Sequence, residues 1–339
     1  MKKIIFILTV FVLSFTSIIS NAKNSPKINL LKENLKLSDI SDKSEKYDKS
    51  GISDIGCDLC GCYMGLEPNF SKNSFGIRYT SYEFYSSPHS AEENSNLDHP
   101  TSSTESYEYY RNIEIFFRYY FSPKFRVIAT IPYSFNQIDS LHLNGVGDLL
   151  TIAQYQIYNT NMVASTNFWQ RIFLGAGFKF PTGVYNKSLS VSGEVEPHFQ
   201  PGTGSLDFLF SGLYIAKHEK TGLGWRNDIV YTINTENKNG YRFANKLNFA
   251  STLTYEIDTD PLVFLPHAGV YYETAGMDKQ DEVNVDDSGG NSFFGTAGLD
   301  IYYGDYSLDF NMNFPVSEKL NGDQPGNELR FFVGLGFAF

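Results

Sequence analysis

The sequence predicts an all-β chain: a closed antiparallel transmembrane β-barrel of about twelve strands with a flexible amino-terminal arm. Three observations predict it. The last eleven residues, Leu329 to Phe339, alternate with period two and end on an aromatic residue. Leu329, Phe331, Val333, Leu335, Phe337 and Phe339 share one face while Arg330, Gly334, Gly336 and Ala338 share the other, as lipid-facing and lumen-facing positions must alternate along a barrel strand. From Phe75 onward about twelve segments of roughly ten to fifteen residues repeat this period, each long enough to cross a bilayer at a tilt. At the other end Lys2 and Lys3 precede an apolar run from Ile4 to Ile19 and a Ser20-Asn21-Ala22 site, the pattern of a secretory signal.

In chain order, residues 1–22 are expected to be the cleaved signal peptide. Residues 23–72, rich in Lys, Ser, Asn and Asp and without a sustained period, form the expected periplasmic arm, and 73–339 the barrel. The spacing predicts strands over 74–86, 107–121, 125–138, 147–159, 169–181, 205–217, 223–236, 241–257, 262–275, 292–303, 306–317 and 327–339. Connections near 87–106, 139–146, 182–204, 237–240, 276–291 and 318–326 are mostly long; those at 122–124, 160–168, 219–222, 258–261 and 304–305 are mostly short. Short turns alternating with long outer loops would put the arm and Phe339 on the periplasmic side of an outer membrane.

Several segments assign their faces directly. Ile113, Ile115, Phe117, Tyr119 and Phe121 oppose Asn112, Glu114, Arg118 and Tyr120; Leu247, Phe249, Leu253, Tyr255 and Ile257 oppose Lys246, Asn248, Thr252, Thr254 and Glu256. In a soluble sandwich the polar face would be outside; in an exported barrel the pattern inverts, with apolar residues in lipid and polar residues lining the lumen. The inward set then includes Arg78, Glu114, Arg118, Arg126, Asp148, Lys179, Asp207, Arg226, Asp228, Lys246, Asp300, Asp309 and Arg330. Opposed charges of this kind either filter solutes or pair and keep the lumen shut.

Composition narrows the partners. With 16% aromatic residues, 28 Gly and only 19% charged residues, the chain suits strands and turns and is too aromatic for disorder. Net charge is −11, and −13 without Lys2 and Lys3, which argues against nucleic-acid phosphate as a partner. The expected partners are outer-membrane lipid, a small-molecule solute and, through the carboxy-terminal strand, the barrel-assembly machinery. No G-x-S-x-G, H-E-x-x-H or P-loop pattern occurs, so the chain is not expected to be an enzyme. Asp278, Asp281, Glu282, Asp286 and Asp287 read as solvated loop charge, and His198, His218 and His267 as ordinary polar side chains.

All three cysteines fall in Cys57-Asp58-Leu59-Cys60-Gly61-Cys62, followed by Tyr63 and Met64. Thiolates at this spacing can converge on one soft ion, copper or zinc, with Met64 as a further ligand. In an oxidising compartment a disulfide with one thiol left over is the equal alternative. No other cofactor is expected.

Two stretches carry a family likeness: Gly145-Val146-Gly147-Asp148-Leu149-Leu150 entering a strand, and Phe178-Lys179-Phe180-Pro181-Thr182-Gly183 leaving the next. In these motifs and in strand order from about Phe75 to Phe339, the chain resembles the outer-membrane transporter family named for the meta-cleavage pathway of phenol degradation. The resemblance implies a barrel pore that helps small hydrophobic or aromatic molecules cross the outer membrane; the cysteine-bearing arm lies outside it. The expected function is passage of a small solute. The alternatives are metal handling through the C-x2-C-x-C element and a closed structural barrel.

Overall fold

The computed structural model describes residues 72–86, 106–160, 168–188, 195–218 and 220–339. Twelve strands close into one antiparallel barrel. They are β1 (Ser74–Ser86), β2 (Ser106–Ser122), β3 (Phe125–Ile138), β4 (Leu149–Asn159), β5 (Phe168–Phe180) and β6 (Asp207–His218). The circuit continues with β7 (Leu223–Ile233), β8 (Lys246–Tyr255), β9 (Leu262–Ala275), β10 (Gly290–Tyr303), β11 (Tyr306–Leu320) and β12 (Arg330–Ala338). Each strand pairs with its sequence neighbours, and the sheet closes where β1 meets β12, from Ser74↔Ala338 to Ser81↔Phe331. Closure leaves both chain ends of the barrel together: the Phe339 N–H donates to the Asn73 carbonyl at 2.8 Å.

The turns follow from local chemistry. After β2 the Ser122 hydroxyl accepts from the Phe125 N–H at 3.1 Å, closing a tight Ser-Pro-Lys turn. Between β10 and β11 only Gly304 and Asp305 intervene, and Gly304 takes the φ of +58° that such a turn requires. These short turns share one end of the barrel, here the turn end, with Asn73 and Phe339; the long connections share the other, the loop end.

The inversion of faces is as expected. On β2, Ile115 is 55% exposed while Glu114 and Arg118 are 5% and 4% exposed. An arrangement of apolar side chains outward and charges inward is stable only with hydrocarbon around it.

Three expectations need correction. The stretch 139–146 is no loop: Leu141–Val146 is a strand that extends the β3 ladder from Tyr133↔Val146 to Ile138↔Leu141, and the irregularity at Gly147-Asp148 separates it from β4. The strand expected over 241–257 is interrupted, with Tyr241–Arg242 pairing Lys279–Gln280 in a separate small sheet at the loop end. Nor is the lumen lined by polar residues throughout. Leu150, Ile152, Leu209, Val230, Ala250, Tyr271 and Phe294 form one buried interior cluster; Phe173, Leu213, Ile215, Leu265 and Tyr302 form another. A twelve-stranded barrel is narrow enough for inward side chains to meet, so much of its interior packs as a core.

Candidate functional site

The expected inward charges do face the interior, and most are held in pairs. The Arg78 guanidinium lies 3.5 Å from the Glu114 carboxylate, the Lys179 ammonium 2.9 Å from Asp207, and Arg226 bonds Asp228 through Nε and Nη2 at 2.6 and 2.8 Å. Arg330 makes a two-pronged bond to Glu273 at 3.0 and 2.8 Å and stacks over the Phe294 ring at 4.5 Å. Arg118 donates to Ser74 Oγ; Arg126 donates to Gln154 and Tyr120 and lies 4.3 Å over the Phe173 ring. Asp300 lies 3.8 Å from His267, the half-buried Asp309 accepts from Ser307, and the half-buried Lys246 lines a crevice at the loop end. Inward Glu108, Arg171, Glu273 and His267 belong to the same interior and were missed, although Glu273 and His267 sit in period two with Tyr271.

Part of this set borders a cavity in the turn-end half of the barrel. Its wall mixes Arg78, Arg118, Arg126, Arg226 and Asp228 with Phe116, Ile128, Ile152, Leu213 and Tyr302. Such a lining suits a small molecule with an apolar body and one polar group.

At the loop end the barrel is filled by its own chain. Of the stretch expected as an outer loop over 182–204, the described residues 195–202 fold inward instead, and Phe199 is fully buried among Tyr82, Phe84, Tyr110 and Leu143. Its ring meets Tyr110 edge-on at 6.1 Å, and Asn136 Nδ2 donates to its carbonyl at 2.8 Å.

The two sequence motifs singled out above meet where this inward segment is fastened. Asp148 Oδ1 accepts from the Gly183 N–H at 2.9 Å, while Oδ2 accepts from both the N–H and the hydroxyl of Thr203 at 2.8 Å. Thr182 Oγ1 accepts from the Leu149 N–H at 2.8 Å. Around the carboxylate Gly147, Gly183 and Gly202 touch backbone to backbone. A Cβ on Gly183 would come within 2.7 Å of the Gly147 carbonyl carbon and 2.8 Å of the Gly202 Cα. Both ends of the inward segment are thus tied to one irregularity in the wall, at Asp148.

A second fastening corrects the reading of Asp278 as solvated charge, for it is fully buried. Asp278 Oδ2 lies 2.7 Å from His198 Nε2 and accepts from the Tyr241 hydroxyl, while Oδ1 accepts from the Ala244 N–H at 2.7 Å. Burial pushes the Asp278 carboxyl up, but the His198 charge and the donated bonds from His198, Tyr241 and Ala244 outweigh it, so it is held below its ordinary value. A carboxylate depressed on folding stabilises above its unfolded pKa and loses that contribution as pH falls through the lower folded value. The fastening is therefore expected to hold from neutral pH down through the usual carboxylate range and to loosen only below it. Protease cleavage within 182–205 followed against pH checks this, and Asp278→Asn should be cleaved faster at neutral pH.

Cys57, Cys60, Cys62 and Met64 lie outside the described residues, as do residues 1–22, expected as a signal peptide, and 23–71 of the expected arm. Among the described residues no three His, Cys, Asp or Glu side chains converge to hold a metal ion.

No protein-family model and no curated protein matches the sequence. Among solved structures the chain is similar to an outer membrane channel from Pseudomonas putida F1, at 13% identity over 81% of this chain and 100% of that one, with a TM-score of 0.56. It is also similar to the β domain of the Bordetella autotransporter BrkA (11% identity, 79% and 100% covered, TM-score 0.42). LpxR from Salmonella typhimurium matches at 9% identity over 78% of this chain and 100% of that chain, with a TM-score of 0.39. The first of these likenesses is one of fold: the chain has the fold of an outer-membrane β-barrel.

Proposed function

We propose that the chain is a gated outer-membrane channel for small solutes of apolar or aromatic character, acting without covalent chemistry of its own. The observation that carries this reading is a mixed apolar and charged cavity in the turn-end half of a barrel whose loop end is filled by an inward segment of the same chain, fastened at Asp148 and at Asp278. A barrel that served only as an anchor would need no such cavity, and an open pore would not be filled at one end. The side chains suit the solute class: Phe116, Ile128 and Tyr302 offer apolar area, while the arginines orient a polar group. The fold supports a lipid environment and an outer-membrane location, with the turn end facing the periplasm.

The test uses protein lacking residues 184–200, in planar bilayers. Benzyl alcohol added to the bath is expected to produce brief blockades of the potassium chloride current, as a solute seated in the cavity must, whereas equimolar glucose is not. Equal effects of the two would remove the assigned solute class.

A further inference from the structure

The barrel wall is laddered unevenly at one seam. From Tyr306↔Phe337 to Asn313↔Arg330 the β11 backbone pairs with β12, and there the ladder stops. On its other side β11 goes on pairing with β10 as far as Leu320↔Gly290. Along Phe314 to Leu320 β11 therefore has no backbone ladder toward β12 among the described residues. The chain entering β12 turns its hydrogen bonds the other way: Gly326 and Asn327 pair with Tyr85 and Phe84 of β1, and the Glu328 N–H donates to the Glu83 carbonyl.

Side chains close this seam. The Glu318 carboxylate accepts from the Asn327 N–H at 3.1 Å and from its Nδ2 at 2.8 Å, and Nδ2 also reaches Ser292 Oγ at 3.0 Å. Asn327 Oδ1 accepts from Arg330. Residues 314–319 are exposed on both faces of the strand, with Val316 at 65%, whereas a strand within a closed wall buries alternate residues. The seam lies level with Tyr85 and the outward Tyr107, rings 4.9 Å apart of the kind that mark a membrane boundary. Unladdered backbone is not tolerated deep in hydrocarbon, and the boundary is where it can persist. Outside the seam stand Phe314 and Val316; inside stand Tyr82, Phe84 and Phe294 around Arg330.

We infer that this seam is a lateral portal, through which a small apolar or aromatic solute passes between the barrel interior and the adjoining membrane leaflet when the Glu318–Asn327 clasp parts. The inference rests on the passage reading above and adds a route to it. Opening costs a few side-chain hydrogen bonds and breaks no ladder. At the same end Phe199 fills the interior against Tyr82 and Phe84, whereas the seam is held by side-chain bonds alone.

The test is a cross-link in full-length protein whose three native cysteines are serine. Glu318→Cys with Asn327→Cys, oxidised, should cut uptake of radiolabelled toluene by expressing cells severalfold, with recovery on reduction. A cross-link lower on the same seam, Leu308→Cys with Leu335→Cys, should leave uptake unchanged. Conversely Glu318→Ala, which removes a charge-assisted pair of bonds, should raise uptake by up to about tenfold. Uptake unaffected by the upper cross-link, in protein that still migrates as a folded barrel, would overturn the portal. Absence of uptake in the unlinked protein would overturn the passage reading and the portal together, whereas uptake that responds to deletion of 184–200 and not to the cross-link would move the route to the axial mouth.

Discussion

Arg330→Ala is expected to lower the barrel's unfolding free energy by about 3–5 kcal/mol, the cost of leaving a buried carboxylate without its partner. Arg330 is 1% exposed, grips Glu273 through two nitrogens and packs over Phe294, so cutting it away leaves the Glu273 carboxylate without its charged partner in a largely buried site. The prediction separates the pair from its parts. Arg330→Met together with Glu273→Gln removes both charges, keeps most of the volume and should recover much of the loss. Urea titration of protein in lipid vesicles, read by tryptophan fluorescence, measures all three. Equal losses in the single and double variants would mean that packing around Phe294, rather than the ion pair, holds this part of the interior.

Gly183→Val is expected to release the inward segment while the twelve strands stay closed. The valine side chain would have to occupy space already held by the Gly147 and Gly202 backbones, and none of these is a flexible side-chain tip that can step aside. Once they part, the Asp148 carboxylate loses its bonds to Gly183 and Thr203, each worth about 1.5–3 kcal/mol for a charged acceptor. Protease should then cut within 182–205 at least tenfold faster than in the wild-type protein, with the heat-modifiable barrel band on gels unchanged. Asp148→Ala should act in the same direction and more weakly, since it removes the bonds and creates no clash. Cleavage at the wild-type rate in both variants would contradict the assignment of this contact as the fastening.

Much of the barrel was legible because lipid and lumen impose period two on every crossing. Strands such as 125–138 and 262–275 could be read to the residue, and Glu114, Arg118 and Asp228 could be assigned inward from alternation alone. Legibility failed where the period broke. Gly147-Asp148 interrupts the alternation between Leu141–Val146 and β4, so a strand looked like a loop. The inward course of 195–205 has no local signature: Phe199 is its one Phe, Tyr or Trp, set in a polar stretch, and its neighbours Tyr82, Tyr110 and Leu143 come from three distant strands. Asp278 failed for the same reason, because the partner that buries it, His198, is 80 residues away and nothing near Asp278 distinguishes it from Asp281 or Asp286. The motifs around Asp148 and Gly183 were visible as motifs; that both serve one fastening emerges only when residues 35 positions apart meet in space.

The measurement that bears most directly on the account is the single-channel current of the full chain beside the same chain lacking residues 184–200. The account predicts a wild-type protein that stays at its closed level apart from brief openings, and a shortened protein that holds one steady open level. Identical traces from the two, whether both silent or both open, would contradict it.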